Sequence, residues 1–280
     1  CLILRMSKKA ILVFLLLFFV TFSFAATVDT VSIYSKAMQK EIKCVVIIPA
    51  VVQDETIPLP VVYLLHGYGG WYSNWIIRVP ELKDYADQYK MMIVCPDGAN
   101  SWYFDSPIDS SIRYETYVSK EVPEYIESHY PAIKNRNGRA ITGLSMGGHG
   151  GLFLGFRHAD FYGACGSISG GVDIRPFKKN WELNQKLGDT LNYWDNWNKY
   201  SVINVIEAPL KEKPVVIIDC GTEDFFHSVN RSLHEKMLEL KIPHDYIERP
   251  GAHNWDYWRN AIQYQLLFFS NYFYWANKEK

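Results

Sequence analysis

Gly143-Leu144-Ser145-Met146-Gly147-Gly148 is the stretch on which the reading of this chain turns. It follows Arg139-Ala140-Ile141-Thr142, a short run bounded by Gly138 that reads as a strand. It precedes Gly150 to His158, which reads as the start of a helix. A serine between glycines at a strand-to-helix junction is the nucleophile-elbow pattern G-x-S-x-G. The reason for the glycines is steric. The turn is so tight that the central residue is held in a strained backbone conformation, and the positions two before and two after it have no room for a Cβ. Such a turn is expected to hold Ser145 Oγ above the sheet, with the Met146 N–H and the helix N-terminus facing the same space.

The rest of the chain is consistent with a globular protein built around that turn. Its 280 residues allow one or two domains, and 48% apolar with 15% aromatic residues is not a disordered composition. The net charge of −1 gives no reason to expect a nucleic-acid partner. Arg5, Lys8 and Lys9 precede an unbroken apolar run, Ala10 to Val20, and Ser23 and Ala25 put small residues where a cut after Ala25 would need them. This is the pattern of a secretory signal peptide, residues 1–25. The apolar run is short for a membrane span. The expectation is a secreted or periplasmic protein, residues 26–280, with no stable membrane association after cleavage and a net charge of −4. Cys44, Cys95 and Cys220 lie in apolar strand-like runs, and neither C-x-x-C nor a Cys/His cluster of zinc spacing occurs. These cysteines read as small buried hydrophobes, and no metal is expected.

Taken in order, Thr27 to Tyr34 alternates as a half-buried strand, Glu41 to Ile48 is a second strand, and Val61 to Leu65 is a continuous apolar run ending at His66-Gly67-Tyr68-Gly69-Gly70. Continuous apolarity suits a strand buried on both faces of a parallel sheet. Ile76 to Tyr89 reads as a helix, Met91 to Cys95 as a strand, and Tyr117 to His129 as a helix. Ala164 to Ile168, Val215 to Asp219 and His244 to Glu248 read as further strands, Val229 to Leu240 and Trp255 to Trp275 as further helices. Gly170 to Lys213 breaks the rhythm and reads as an inserted, aromatic-rich cap or long loop. Strands alternating with helices predict a three-layer α/β domain whose ligands gather at the carboxyl ends of the strands. His66, Ser145, Asp224 and His253 all fall just past such ends.

A serine hydroxyl needs a base to take its proton, and the base needs an orienting acid. With the chain order nucleophile, acid, histidine, the base lies C-terminal to Ser145. His227, His234 and His244 are possible. His253, in the loop Pro250-Gly251-Ala252-His253 between the last strand and the last helix, is the preferred base. The acid candidates are Asp219, Glu223 and Asp224; Asp224, further out on its loop than Asp219, is preferred, with Asp219 second. Met146 N–H and Tyr68 N–H are the expected oxyanion donors. Trp102, Tyr103, Trp181, Trp194 and Trp197 are candidates for an aromatic floor, and His66, Trp102, Trp181 and Trp194 are the expected substrate contacts.

Four motifs in order, LLHGYGG, GLSMGGHGGL, DCGTEDFF and PGAHNWDYW, resemble the Putative esterase (esterase D) family of α/β-hydrolases, from about Thr27 to the C-terminus. That family includes feruloyl and acetylxylan esterases of carbohydrate esterase family 1, S-formylglutathione hydrolases and mycolyltransferases. The resemblance implies an α/β-hydrolase fold with a mostly parallel sheet. It also implies Ser145 as nucleophile, Asp224 as acid and His253 as base, with no cofactor. The implied partner is a small-molecule or polysaccharide-linked ester. A feruloyl esterase is the leading expectation, ahead of an acetylxylan esterase, an acyltransferase or an inactive glycan-binding relative. Export argues against a thiol substrate confined to the cytosol.

Overall fold

The computed structural model describes residues 25–50 and 57–278; residues 1–24 of the expected leader lie outside them. The strands are β1 (Thr27–Ser35), β2 (Lys40–Ile48), β3 (Val61–Leu65), β4 (Met92–Pro96), β5 (Arg139–Gly143), β6 (Ala164–Ile168), β7 (Val215–Gly221) and β8 (Asp245–Arg249). They form one sheet in the order β1-β2-β4-β3-β5-β6-β7-β8. The β1–β2 and β2–β4 pairings are antiparallel, and every other pairing is parallel. Burial follows this split. β1 alternates toward solvent, whereas β3, β4, β5 and β6 are buried along their whole length, as a sheet covered on both faces requires.

The helices are α1 (Asn74–Arg78), α2 (Leu82–Tyr89), α3 (Val122–His129), α4 (Met146–Arg157), α5 (Leu183–Leu187), α6 (Trp194–Lys199), α7 (Val202–Val205), α8 (His227–Glu239) and α9 (Trp255–Lys278). Along β3 the side chains alternate between two cores. Val61, Tyr63 and Leu65 pack with α3, α4 and α8 through Ile126, Phe153 and Leu233. Val62 and Leu64 pack with α2 and α9 through Leu82, Ala86, Ile262 and Phe269. The result is the three-layer α/β architecture expected. Truncating a fully buried member such as Leu64 or Ile262 to alanine removes contacts worth about 2–5 kcal/mol.

Two helices differ from expectation for identifiable reasons. The run read as one helix from Ile76 to Tyr89 is α1 and α2, separated by Val79-Pro80-Glu81; Pro80 lacks the N–H to continue the first helix and disfavours helical backbone at Val79. The helix read from Gly150 begins instead at Met146; Gly147, Gly148, Gly150 and Gly151 lower the propensity of its first turns but are needed for close packing, so propensity misplaces its start. Tyr117 to Glu121 winds as a π-helical turn before α3. The inserted stretch from Gly170 to Lys213 carries α5, α6 and α7, and it buries Leu183, Leu187 and Trp197 in the same core as β3 and α4. Cys44, Cys95, Cys165 and Cys220 are free and buried.

The sheet also fixes where the chemistry gathers. From β3 the chain goes to β4 on one side and returns to β5 on the other, with Leu65 paired to Gly143 at the strand ends. The loops leaving β3 and β5 therefore part at a reversal of strand order, the place where open α/β sheets hold ligands.

Candidate active site

Ser145 occupies φ 55°, ψ −115°, at the junction of β5 and α4. A non-glycine residue there is strained, and the neighbours enforce it. A Cβ on Gly143 would stand 2.4 Å from the Leu65 carbonyl oxygen, and one on Gly147 would stand 2.4 Å from that same atom. The backbone of β3's end therefore fills the space a larger residue would need. The turn is pinned further by Ser145 N–H donating to Ile168 O at 2.9 Å.

The acid and histidine loops leave the neighbouring strands β7 and β8 and are tied together by Glu223 N–H donating to Gly251 O at 2.9 Å. Asp224 is buried, and one of its oxygens accepts from Phe226 N–H at 2.8 Å. His253 Nδ1 lies 2.8 Å from Asp224 Oδ2, and His253 Nε2 lies 2.9 Å from Ser145 Oγ. A carboxylate can only accept at neutral pH, so Nδ1 carries the proton and Nε2 is left to accept from the serine hydroxyl. The imidazole is walled by Phe225, Phe226 and Trp258, at ring-centroid distances of 4.2, 5.5 and 4.9 Å. His227, His234 and His244 are elsewhere: His227 meets Glu248, and His234 meets His244.

Asp219, the second candidate acid, is fully buried but faces other partners. Tyr257 Oη–H and the Arg249 guanidinium both donate to it. Burial raises its pKa against the lowering pull of those two donors.

The loop after β3 lies across the nucleophile. A Cβ on Gly67 would be 3.4 Å from Ser145 Cβ. The loop is held from behind by Trp75 Nε1–H to Leu65 O at 2.9 Å, Tyr103 Oη–H to His66 O at 2.9 Å, and Gly69 N–H to Asn100 Oδ1 at 2.7 Å. Among the described residues, neither Tyr68 N–H nor Met146 N–H has a hydrogen-bond partner. The Met146 amide begins α4, whose N-terminus favours negative charge.

The four expected substrate contacts separate. A cavity of about 340 Å³ opens over Ser145 and His253, and Trp181 is in its wall. His66 is not: it is buried behind the loop, its Nε2 accepting from Gly98 N–H at 2.8 Å and its Nδ1–H donating to Gly67 O at 2.8 Å. Trp102 is buried beneath the floor, its ring 5.7 Å from that of Trp181. Trp194 is exposed away from the cavity, under the Lys178 ammonium. Of the other floor candidates, Tyr103 braces the loop and Trp197 is buried with its N–H on Gly188 O. The aromatic wall is made instead by Trp71, Trp181, Phe225, Trp255 and Trp258, with Tyr68 at the rim. A sequence signal existed for part of it. Phe225 adjoins the acid, and Trp255 and Trp258 stand three apart just after His253, so both are carried to the site by its own loops. Trp71 and Arg78 had no such marker. Among the described residues no three His, Cys, Asp or Glu side chains converge as a metal site.

A strained serine, a histidine within hydrogen-bond reach of it and a buried carboxylate on that histidine form an arrangement suited to acyl transfer. The fold and the comparisons with known proteins together define a carboxylic ester hydrolase. Residues 35–269 match the family model described as Putative esterase, and the chain belongs to that family. An acetyl esterase of Caldicellulosiruptor saccharolyticus is 28% identical over 271 residues, covering 89% of this chain and 97% of its own. A solved ferulic acid esterase superposes with a TM-score of 0.78 at 29% identity, covering 89% of this chain and 99% of its own. An S-formylglutathione hydrolase from Agrobacterium tumefaciens, 21% identical, shares the fold with a TM-score of 0.75, covering 90% of this chain and 97% of its own.

Proposed function

We propose that the protein is an exported serine esterase acting on acylated carbohydrate, with feruloyl esters as its principal substrates, and that Ser145, His253 and Asp224 carry the reaction. The observation that carries this reading is the hydrogen-bonded line from Ser145 through His253 to Asp224, opening on a cavity walled by indole and phenyl rings. Flat aromatic walls suit a phenolic acyl group or the apolar face of a sugar ring. His253 Nε2 takes the proton of Ser145 as Oγ attacks the ester carbonyl. The oxyanion is received by the amides of Met146 and Tyr68. His253 returns the proton to the alcohol oxygen as the carbon–oxygen bond breaks. Water, deprotonated in the same way, then releases the acid and restores the serine. None of these steps calls for a metal or cofactor. The pattern at residues 1–25 supports export.

Release of ferulate from methyl ferulate and from arabinoxylan is the expected result. Turnover of short p-nitrophenyl esters alone would overturn the feruloyl assignment and keep the esterase. The similarity to an acetyl esterase favours a second reading, deacetylation of xylan; acetate release with methyl ferulate inert would select it. Appearance of acyl-sugar when an acceptor alcohol is added would mark a transferase.

A further inference from the structure

Apart from the Ser145–His253 pair, the cavity wall holds, among the described residues, one side chain that bears full charge at neutral pH, Arg78. Most arginines of this protein are spent on carboxylates: Arg139 on Glu127, Arg157 on Glu115, Arg175 on Asp173, Arg249 on Asp219 and Arg259 on Glu81. Among the described residues Arg78 has neither an ion pair nor a hydrogen bond. Its guanidinium lies 5.9 Å from the ring centroid of Trp255. Stacking on a ring leaves the planar fork of N–H donors uncommitted, and that fork matches a carboxylate. Glu182, whose carboxylate meets the Tyr68 hydroxyl, is answered by Lys186 at 3.5 Å. The unanswered charge of the cavity is therefore positive.

Its place says which part of a substrate would meet it. From His253 the wall runs to Trp258 at 4.9 Å, on to Trp255 at 5.3 Å, and ends at Arg78. His253 is the group that would hand its proton to the leaving oxygen, and of the two aromatic walls that begin at its ring, through Phe225 to Trp181 and through Trp258 to Trp255, the second, which ends in a cation, is the one assigned to the alcohol half of the ester. α1 holds Arg78 there. Asn74, one turn earlier, accepts Trp71 N–H at 3.0 Å and fixes the helix to the oxyanion loop.

We propose that Arg78 is a specificity-determining residue that takes a carboxylate on the alcohol half of the ester. The preferred substrates are then acylated acidic saccharides, in which a uronic carboxylate lies within a sugar or two of the acylated hydroxyl. This rests on the esterase reading above and adds the charge of the substrate to it. The probes are xylo-oligosaccharides carrying the acyl group the enzyme releases, feruloyl or acetyl, with and without a glucuronic acid branch, and the quantity read is the ratio of their kcat/KM values. The wild-type ratio is expected to favour the acidic substrate about five- to tenfold at low salt and to shrink as salt rises. Arg78→Gln should bring it to about one, and Arg78→Lys should keep part of it, because an ammonium supplies charge without the fork. A general loss of folding lowers both rates and leaves the ratio, so an unchanged ratio in Arg78→Gln overturns the proposal. So does a wild-type ratio near one in an enzyme that hydrolyses p-nitrophenyl acetate. Loss of a preference for mono-p-nitrophenyl succinate over p-nitrophenyl butyrate in Arg78→Gln, with the saccharide ratio unmoved, would place the carboxylate on the acyl half and refute the assignment. A wild-type enzyme inert to every ester would instead sink the esterase reading itself.

Discussion

Asp219 and Asp224 stand at the same end of β7, both buried, and they face opposite tasks. Asp224 turns its carboxylate to His253 Nδ1 at 2.8 Å and to a backbone amide. Asp219 turns its own to Tyr257 and Arg249. Arg249 is itself held between rings, its guanidinium carbon 4.2 Å from the Tyr264 centroid and 5.4 Å from that of Tyr257. One carboxylate therefore orients the His253 imidazole, and the other clamps β8 to the start of α9. Burial alone does not distinguish a carboxylate that serves chemistry from one that serves the fold; the partner does.

The largest effect belongs to the serine end of the line. Ser145→Ala should lower kcat by on the order of 10⁶ while the melting temperature stays close to wild type, because removing Oγ leaves the backbone and Cβ in place and opens little space. Near-normal turnover would remove the line from the chemistry. Next is Asp224→Asn, which offers an N–H to His253 Nδ1 and so puts the imidazole proton on Nε2, where it cannot accept from Ser145. A fall in kcat on the order of 10⁴ is expected. Asp219→Ala should instead change kcat by less than about tenfold and cost about 3 kcal/mol in urea unfolding, by stranding the half-buried Arg249. If the two aspartates exchange these phenotypes, the division of labour is wrong.

A smaller effect sharpens the same contrast among histidines. His149, on the first turn of α4, is fully buried against Phe153 and Phe104, with Nδ1–H donating to Gly171 O at 3.0 Å and no carboxylate beside it. Burial lowers its pKa from 6.5 to about 4. The folded state therefore binds fewer protons than the unfolded state between those values. The stability conferred by keeping His149 neutral is complete above about pH 6.5 and is lost as pH falls toward 4, on the order of 3 kcal/mol in all. Urea unfolding at pH 7.5 and pH 4.5 should show a smaller acid loss in His149→Phe than in wild type. An equal loss in both would show that this imidazole does not report its burial.

The elbow, the strand ends and the chain order of Ser145, Asp224 and His253 were legible because each depends on local pattern: continuous apolar runs stop where loops begin, and glycine marks backbone that has no room. The helix start at Met146 was not, because its glycines are selected by contact with Leu65, Thr142 and Gly166 rather than by helix propensity. The cavity wall was least legible. Trp102 and Trp194 are as aromatic as Trp71 and Trp255, but whether a ring faces the serine depends on tertiary direction that composition does not encode. His66 was misplaced for a related reason: a loop histidine beside glycines reads as a contact, yet its ring is spent on Gly98 and Gly67.

The proposed reaction requires a hydroxyl activated by a neighbour more than a hundred residues away. Its most direct measurement is peptide mapping by mass spectrometry after treatment with a fluorophosphonate, on the wild type and on His253→Ala. A single adduct on the peptide bearing Ser145, formed quickly in the wild type and at least about a thousandfold more slowly in the variant, is the predicted result. An unmodified Ser145, or equal labelling rates in the two proteins, would contradict it.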